Sequence, residues 1–354
     1  MEKTSLWAKI IQIYQPSLKE ENIHITYDLD ASGISKSLQL EEEMKVAIQK
    51  VEKQTGILEK EVLGDPEKKK ILAHALKQDE IWENCFKNIC EFFSPGVDPK
   101  IASEDIDRPF WNNLQFGFVS DSYESPNYNI TSHISHSLLT QLKESTKTKH
   151  NIPKLQPVSI VSNVITADKK LVLGHRGGNS YYDVIMSVPA GSVEPHLKPR
   201  ERGALFSSHD KELNEELALK PEDCESSELI ARVEESLLVP GGWQYYVFRT
   251  KIKMELDELL EHWKKAIDRK EHRHLVFYDV KDPSIILSTI KYNSFDLSKA
   301  GERINQTTLE NIGKILPQCS GPILAHFAKQ YGPDWAAKTE RYLNDHFDLT
   351  SCFK

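Results

Sequence analysis

Glu212, Glu215 and Glu216 stand at i, i+3 and i+4 within residues 211–219, a stretch whose Glu, Lys, Leu and Ala content favours a helix. On a helix the three carboxylates share one face, and Leu213 and Leu217 share another. Three like charges within one turn repel, and packing gains nothing from placing them there. A divalent cation that prefers hard oxygen ligands would relieve the repulsion. Mg²⁺ is the commonest such ion where a phosphate completes the shell, with Mn²⁺ as its substitute. A solvated acidic helix face is the plainer explanation of the nonapeptide taken alone.

The segment upstream shifts that balance. Residues 188–195 read Val-Pro-Ala-Gly-Ser-Val-Glu-Pro, and Gly191 followed by residues 211–219 resembles the Nudix box, a loop-helix-loop element. The chain departs from the family pattern in four places. Lys211 stands for Arg, Ala218 for the Gly that ends the helix, and Leu197 for the first Glu of the box. Lys211 also follows Gly191 by 20 positions, six more than in the family. The resemblance implies Glu212, Glu215 and Glu216 as metal ligands, with Glu212 and Glu216 serving the catalysis directly. It also implies Gly191, Glu194 and Lys211 at the substrate side, Lys211 orienting Glu212 by its charge. The inserted residues 197–203 are charged and contain Pro and Gly, as a surface excursion or a basic lid would.

Two further residues enter by position. Arg176 ends an apolar run just before Gly177-Gly178-Asn179, where a guanidinium can grip a phosphate bidentately or simply guard a strand edge. Glu271, in the polar run of residues 268–274, is the candidate general base on a late loop, with His272 and His274 as competitors. Residues 188–195, Leu205-Phe206-Ser207-Ser208, Leu316-Pro317, Ser320-Gly321 and Ile323-Leu324 resemble the Nudix subgroup that hydrolyses UDP-glucose and UDP-galactose. That implies Mg²⁺-dependent cleavage of a nucleoside diphosphate joined to another group, a UDP-sugar giving UMP and sugar 1-phosphate. ADP-ribose or another nucleoside diphosphate derivative is the nearest alternative within the same chemistry. A non-catalytic Nudix fold that binds a nucleotide is the alternative outside it.

The elements that must position these residues follow from composition and period. At 354 residues and 39% hydrophobic, the chain can bury a full core and is expected to hold two domains. There is no apolar run long enough to span a membrane, and the start lacks the apolar core of a signal peptide, so a cytoplasmic protein is expected. The five cysteines, Cys85, Cys90, Cys224, Cys319 and Cys352, form no Cys-x-x-Cys pair and read as free thiols. A net charge of -8 argues against a general nucleic-acid binder.

Residues 1–150 read as a mostly helical and mixed N-terminal domain of unknown role, the substrate pocket and a homodimer contact both being open to it. Leu40, Met44, Ala47, Ile48 and Val51 keep a helical period. A second helix is expected from Asp65-Pro66 through Cys90, with Ile71 on its buried stripe. Thr131 and Ser132 predict the cap of a helix carrying His133 and His136. Residues 143–151 are a polar linker. Residues 151–335 are then expected to form a Nudix α/β/α sandwich with a mixed sheet, opened by a hairpin around Asp168-Lys169-Lys170. A closing helix is expected over 336–354, which makes the whole an α+β protein.

Overall fold

The computed structural model describes residues 9–62, 65–110, 114–142, 144–149, 156–176, 185–195, 203–235, 242–292, 315, 317–332, 334, 335, 337–339 and 343. Aspartate caps punctuate its helical N-terminal part. Helix α1 (Ala31–Thr55) starts at Asp30, whose carboxylate accepts from the Gly33 N–H at 2.8 Å, and stops at Gly56 with φ of +69°. Leu40, Met44, Ala47, Ile48 and Val51 are buried along it, as their spacing predicts.

The long second helix is corrected to two, α2 (Pro66–Lys77) and α3 (Glu80–Phe93). Asp79 makes the break: one carboxylate oxygen accepts from the N–H groups of Ile81 and Trp82, and the other is held by Lys50 at 2.5 Å. A cap with its own counter-ion outweighs the apolar period that runs through it. Ile71, expected in the core, is 52% exposed. With α4 (Pro99–Asp105) these helices bury a separate core around Trp82, Phe86 and the free thiols Cys85 and Cys90.

Among the described residues eleven strands form one mixed sheet. They are β1 (Lys9–Leu18), β2 (Ile23–Tyr27), β3 (Leu114–Glu124), β4 (Asn127–His136), β5 (Gln156–Ile165), β6 (Lys170–Arg176), β7 (Ile185–Ser187), β8 (Ala190–Ser192), β9 (Cys224–Glu235), β10 (Trp243–Ile252) and β11 (His272–Asp279). The main path runs β1-β9-β10-β5-β3-β4-β2. Strand β6 pairs with β5, β7 and β11, and β8 pairs with β5. Among the described strands β10 with β5 and β2 with β4 are the parallel pairs. The expected hairpin is β5–β6, with Val164 opposite Val172 and Lys169 at φ of +67° in its turn.

His133 and His136 lie on strand β4, not on a helix. Tyr128, Ile130, Ser132, Ile134 and His136 alternate inward there, and that period of two fixes the strand. Helix α5 (Ser137–Thr140) is the short remainder, and α6 (Glu144–Lys149) falls in the polar run. The boundary expected near residue 150 crosses a continuous sheet: β1 pairs with β9, and Gly117 of β3 pairs with Pro157 of β5.

Helices cover both faces of the sheet around β5 and β10. On one face, α7 (Ala204–Leu217) and α8 (Leu256–Trp263) set Leu213, Leu217, Leu259 and Trp263 against Val164 and Val172. Each such fully buried side chain contributes about 1.5–3 kcal/mol of transfer free energy. Helix α9 (Ser284–Tyr292) then precedes α10 (Pro317–Tyr331), whose Ala325 packs on Val161 and Val247 of the opposite face. The helix expected at 336–354 lies almost wholly outside the described residues, as do Gly177, Gly178, Asn179, Leu197 and Leu316. Among the described residues no helix is long and apolar enough to cross a membrane.

Candidate metal centre

Helix α7 begins at Ala204, where its sequence permits, and ends at Ala218 in the left-handed conformation with φ of +55°. Ala218 N–H donates to Asn214 at 3.0 Å and Leu219 N–H to Leu213 at 3.1 Å, the closure that a Gly makes without steric cost. A buried imidazole fixes the helix on the sheet. His209 Nε2 lies 2.8 Å from Thr250 Oγ1, and its ring stacks on Phe248 with centroids 4.3 Å apart. This anchor has no signature in the sequence.

The acidic face of α7 thereby lies against β8. Gly191 pairs with Ile160 of β5, and a Cβ built on Gly191 would fall 2.1 Å from the Glu212 carboxyl. The Glu212 side chain occupies the space that a residue larger than Gly would fill. Burial pushes this carboxyl up to about 8, the Glu216 charge adding to the rise and Lys211 opposing it. Glu216 is 4% exposed; Oε1 accepts from the Ala190 N–H at 3.2 Å and Oε2 lies 3.0 Å from His272 Nε2. Burial raises it to about 8 as well, against the pull of Arg176. Glu215 turns outward, with Lys211 at 4.0 Å and its own backbone carbonyl accepting from the Asp268 N–H at 2.8 Å. Burial raises the Glu215 carboxyl too.

Lys211 sits at the rim, 3.0 Å from Glu194. Burial works against its charge, but Glu194, Glu212 and Glu215 together raise its pKa. Its charge therefore acts on Glu212, while its contacts are to Glu194 and Glu215. Across the centre, Arg176 Nη2 donates to Glu271 Oε2 and Nη1 lies 3.6 Å from Met186 Sδ, while its buried Nε has no partner among the described residues. Glu271 ends a single turn of 3-10 helix, so His272 opens β11 and does not belong to a loop.

His272 is 5% exposed, and burial drives it down to about 4, so the ring is neutral. Its ring lies on Gly174, where a Cβ would come within 2.3 Å of Nδ1. Among the described residues, ligand atoms of Glu216, Glu271 and His272 all fall within 4.8 Å of one another. Those of Glu212, Glu215 and Glu216 do not meet at that distance, because Glu215 is drawn outward. Asp268, itself raised by burial and by Glu271, joins the acidic group. Sequence reasoning missed it as a site residue, and weighed His272 only as a base. The one signal available for His272 was Gly174, a glycine inside a strand pattern, which marks a close approach.

The donor set fits a hard divalent cation. Glu212 and Glu216, two carboxyls whose pKa burial raises to about 8, one of them in a cradle that only Gly leaves open, would hold such an ion and regain their charge on binding it.

No family model and no curated protein matches this sequence. Among solved structures the chain is similar to DR0079 from Deinococcus radiodurans, at 12% identity and a TM-score of 0.27, over 44% of this chain and 80% of that one. It is similar also to the E. coli dihydroneopterin triphosphate pyrophosphohydrolase, at 18% identity and a TM-score of 0.24, over 43% of this chain and 92% of that one.

Proposed function

We propose that this chain is a Nudix-type, divalent-cation-dependent pyrophosphohydrolase that cleaves a nucleoside diphosphate joined to another group. A UDP-sugar, giving UMP and sugar 1-phosphate, is the first substrate to test. The observation that carries the proposal is the placing of Glu212 and Glu216 beside Glu271 on a glycine-lined floor, where burial keeps two carboxyls protonated near neutral pH and a cation could take the protons' place.

Glu212 and Glu216 would hold the ion, with Glu215 at its outer side. When bound, the ion neutralises non-bridging phosphate oxygens and lowers the pKa of a coordinated water. Glu271 accepts the proton of the attacking water on a carboxylate oxygen, and Arg176 holds that carboxylate in place. Arg176 would also grip a phosphate oxygen through guanidinium donors not used on Glu271. Lys211 and Glu194 close the rim.

The test is release of UMP from UDP-glucose with and without Mg²⁺, ADP-ribose and other nucleoside diphosphate sugars run beside it. Wild type should turn over only with the metal, and Glu216→Gln should lose at least about 10²-fold. If neither protein releases product from any of the panel, the hydrolase proposal fails and a nucleotide-binding role replaces it.

A further inference from the structure

We propose that the cation at this centre is ligated by nitrogen as well as oxygen. His272 Nε2, Glu216 Oε2 and a carboxylate oxygen of Glu271 form a mixed site that takes a transition-metal dication such as Mn²⁺ or Zn²⁺ in preference to Mg²⁺. The proposal deepens the metal-dependent function above and rests on it.

Three observations carry it. The ligand atoms of Glu216, Glu271 and His272 gather within 4.8 Å, the sole such grouping among the described residues. Within it, Nε2 and Oε2 are 3.0 Å apart. That is the spacing of two adjacent ligands each about 2.1 Å from a six-coordinate ion, since 2.1 Å times the square root of two is about 3.0 Å. Second, His272 is 5% exposed and Glu216 is 4% exposed, so neither side chain is aimed at bulk water. Third, the ring has a built seat: it lies on Gly174, and any side chain there would push Nδ1 away.

The proton count of the ring is unchanged by binding. On coordination the Nε2 lone pair goes to the ion, the ring's one proton sits on Nδ1, an atom with no partner among the described residues, and Glu216 binds as carboxylate, its proton passing to solvent. Glu271 keeps one oxygen on Arg176 and gives the other to the ion, so at this mixed site the water's proton passes to Glu212 in place of Glu271. Imidazole nitrogen favours first-row transition metals, whereas an all-oxygen site favours Mg²⁺, so His272 sets the preference.

The experiment is electron spin echo spectroscopy of the full chain loaded with Mn²⁺ alone. The expected result is ¹⁴N modulation that changes to the ¹⁵N pattern when histidine is ¹⁵N-labelled, and Mn²⁺ affinity at least about tenfold above that for Mg²⁺ in competition. His272→Gln should lose the nitrogen signal, weaken Mn²⁺ about 10–100-fold and leave Mg²⁺ little changed. Bound Mn²⁺ with an all-oxygen spectrum in the wild type overturns the nitrogen ligand and leaves the carboxylate centre standing. A wild type that binds no Mn²⁺ at millimolar levels overturns both. Should His272→Gln fail to fold, the labelled wild-type spectrum decides alone.

Discussion

Glu212 and Glu216 give the centre a pH signature that can be read without any substrate. Each has a folded-state pKa near 8, above the ordinary carboxyl value of 4.5. Between those values the folded chain binds more protons than the unfolded one, so their contribution to stability is complete below about pH 4.5 and lost as the pH rises through 8. Calorimetry in EDTA should therefore show a melting temperature that falls from pH 5.5 to pH 8. Saturating Mg²⁺ or Mn²⁺ should reverse much of that loss at pH 8, because the ion replaces the protons. Gly191→Ala tests the cradle: its Cβ displaces the end of a flexible side chain, so the protein should fold, with metal affinity in titration calorimetry reduced about 10–100-fold. The three glutamates stand out in the sequence because residues on one helix face have a fixed spacing, whereas Gly191, on β8, enters only through the resemblance to the Nudix box. His272 reaches Glu216 across 56 residues and Asp268 reaches the same group from another element, contacts that no local spacing encodes.

At the scale of elements, α7 carries a strained terminus. Ala218 adopts a left-handed conformation that costs a side-chain-bearing residue about 1–2 kcal/mol. Ala218→Gly removes that cost and adds freedom to the unfolded chain, for a net gain of about 0.5–1 kcal/mol in urea denaturation with catalysis unchanged. Helix α1 and the β5–β6 hairpin follow from period and turn, and both stand where the sequence puts them. The gap between α2 and α3 was hidden because the apolar stripe continues in phase across it, and only the Asp79–Lys50 pair marks the interruption. Strand β4 was hidden because Thr131 and Ser132 are equally good cap residues and strand residues, and pairing with β2 and β3 decides between them.

For the whole molecule, the sheet joins parts that composition separates. Tyr14 of β1, Tyr128 of β4 and Tyr246 of β10 are fully buried against one another, with the Tyr128 and Tyr246 hydroxyls 3.1 Å apart. A fragment of residues 151–354 would lose β1 from β9 and β3 from β5, opening two strand edges and uncovering this cluster. Expressed alone it should aggregate or give collapsed amide proton shifts, and a well-dispersed spectrum would show that the C-terminal part folds by itself. Polar residues 143–151 resemble a linker, and nothing local distinguishes a tether from a connection within one sheet.

The pairing of the first strand with the ninth has a consequence for how the chain is made. Roughly two hundred residues separate Leu18 from its partner strand at Cys224. At about 5–20 residues per second, a ribosome needs on the order of 10–40 s to deliver that partner. For that interval the ribbon of residues 9–18 waits without its partner strand, an open edge for as long as synthesis lasts.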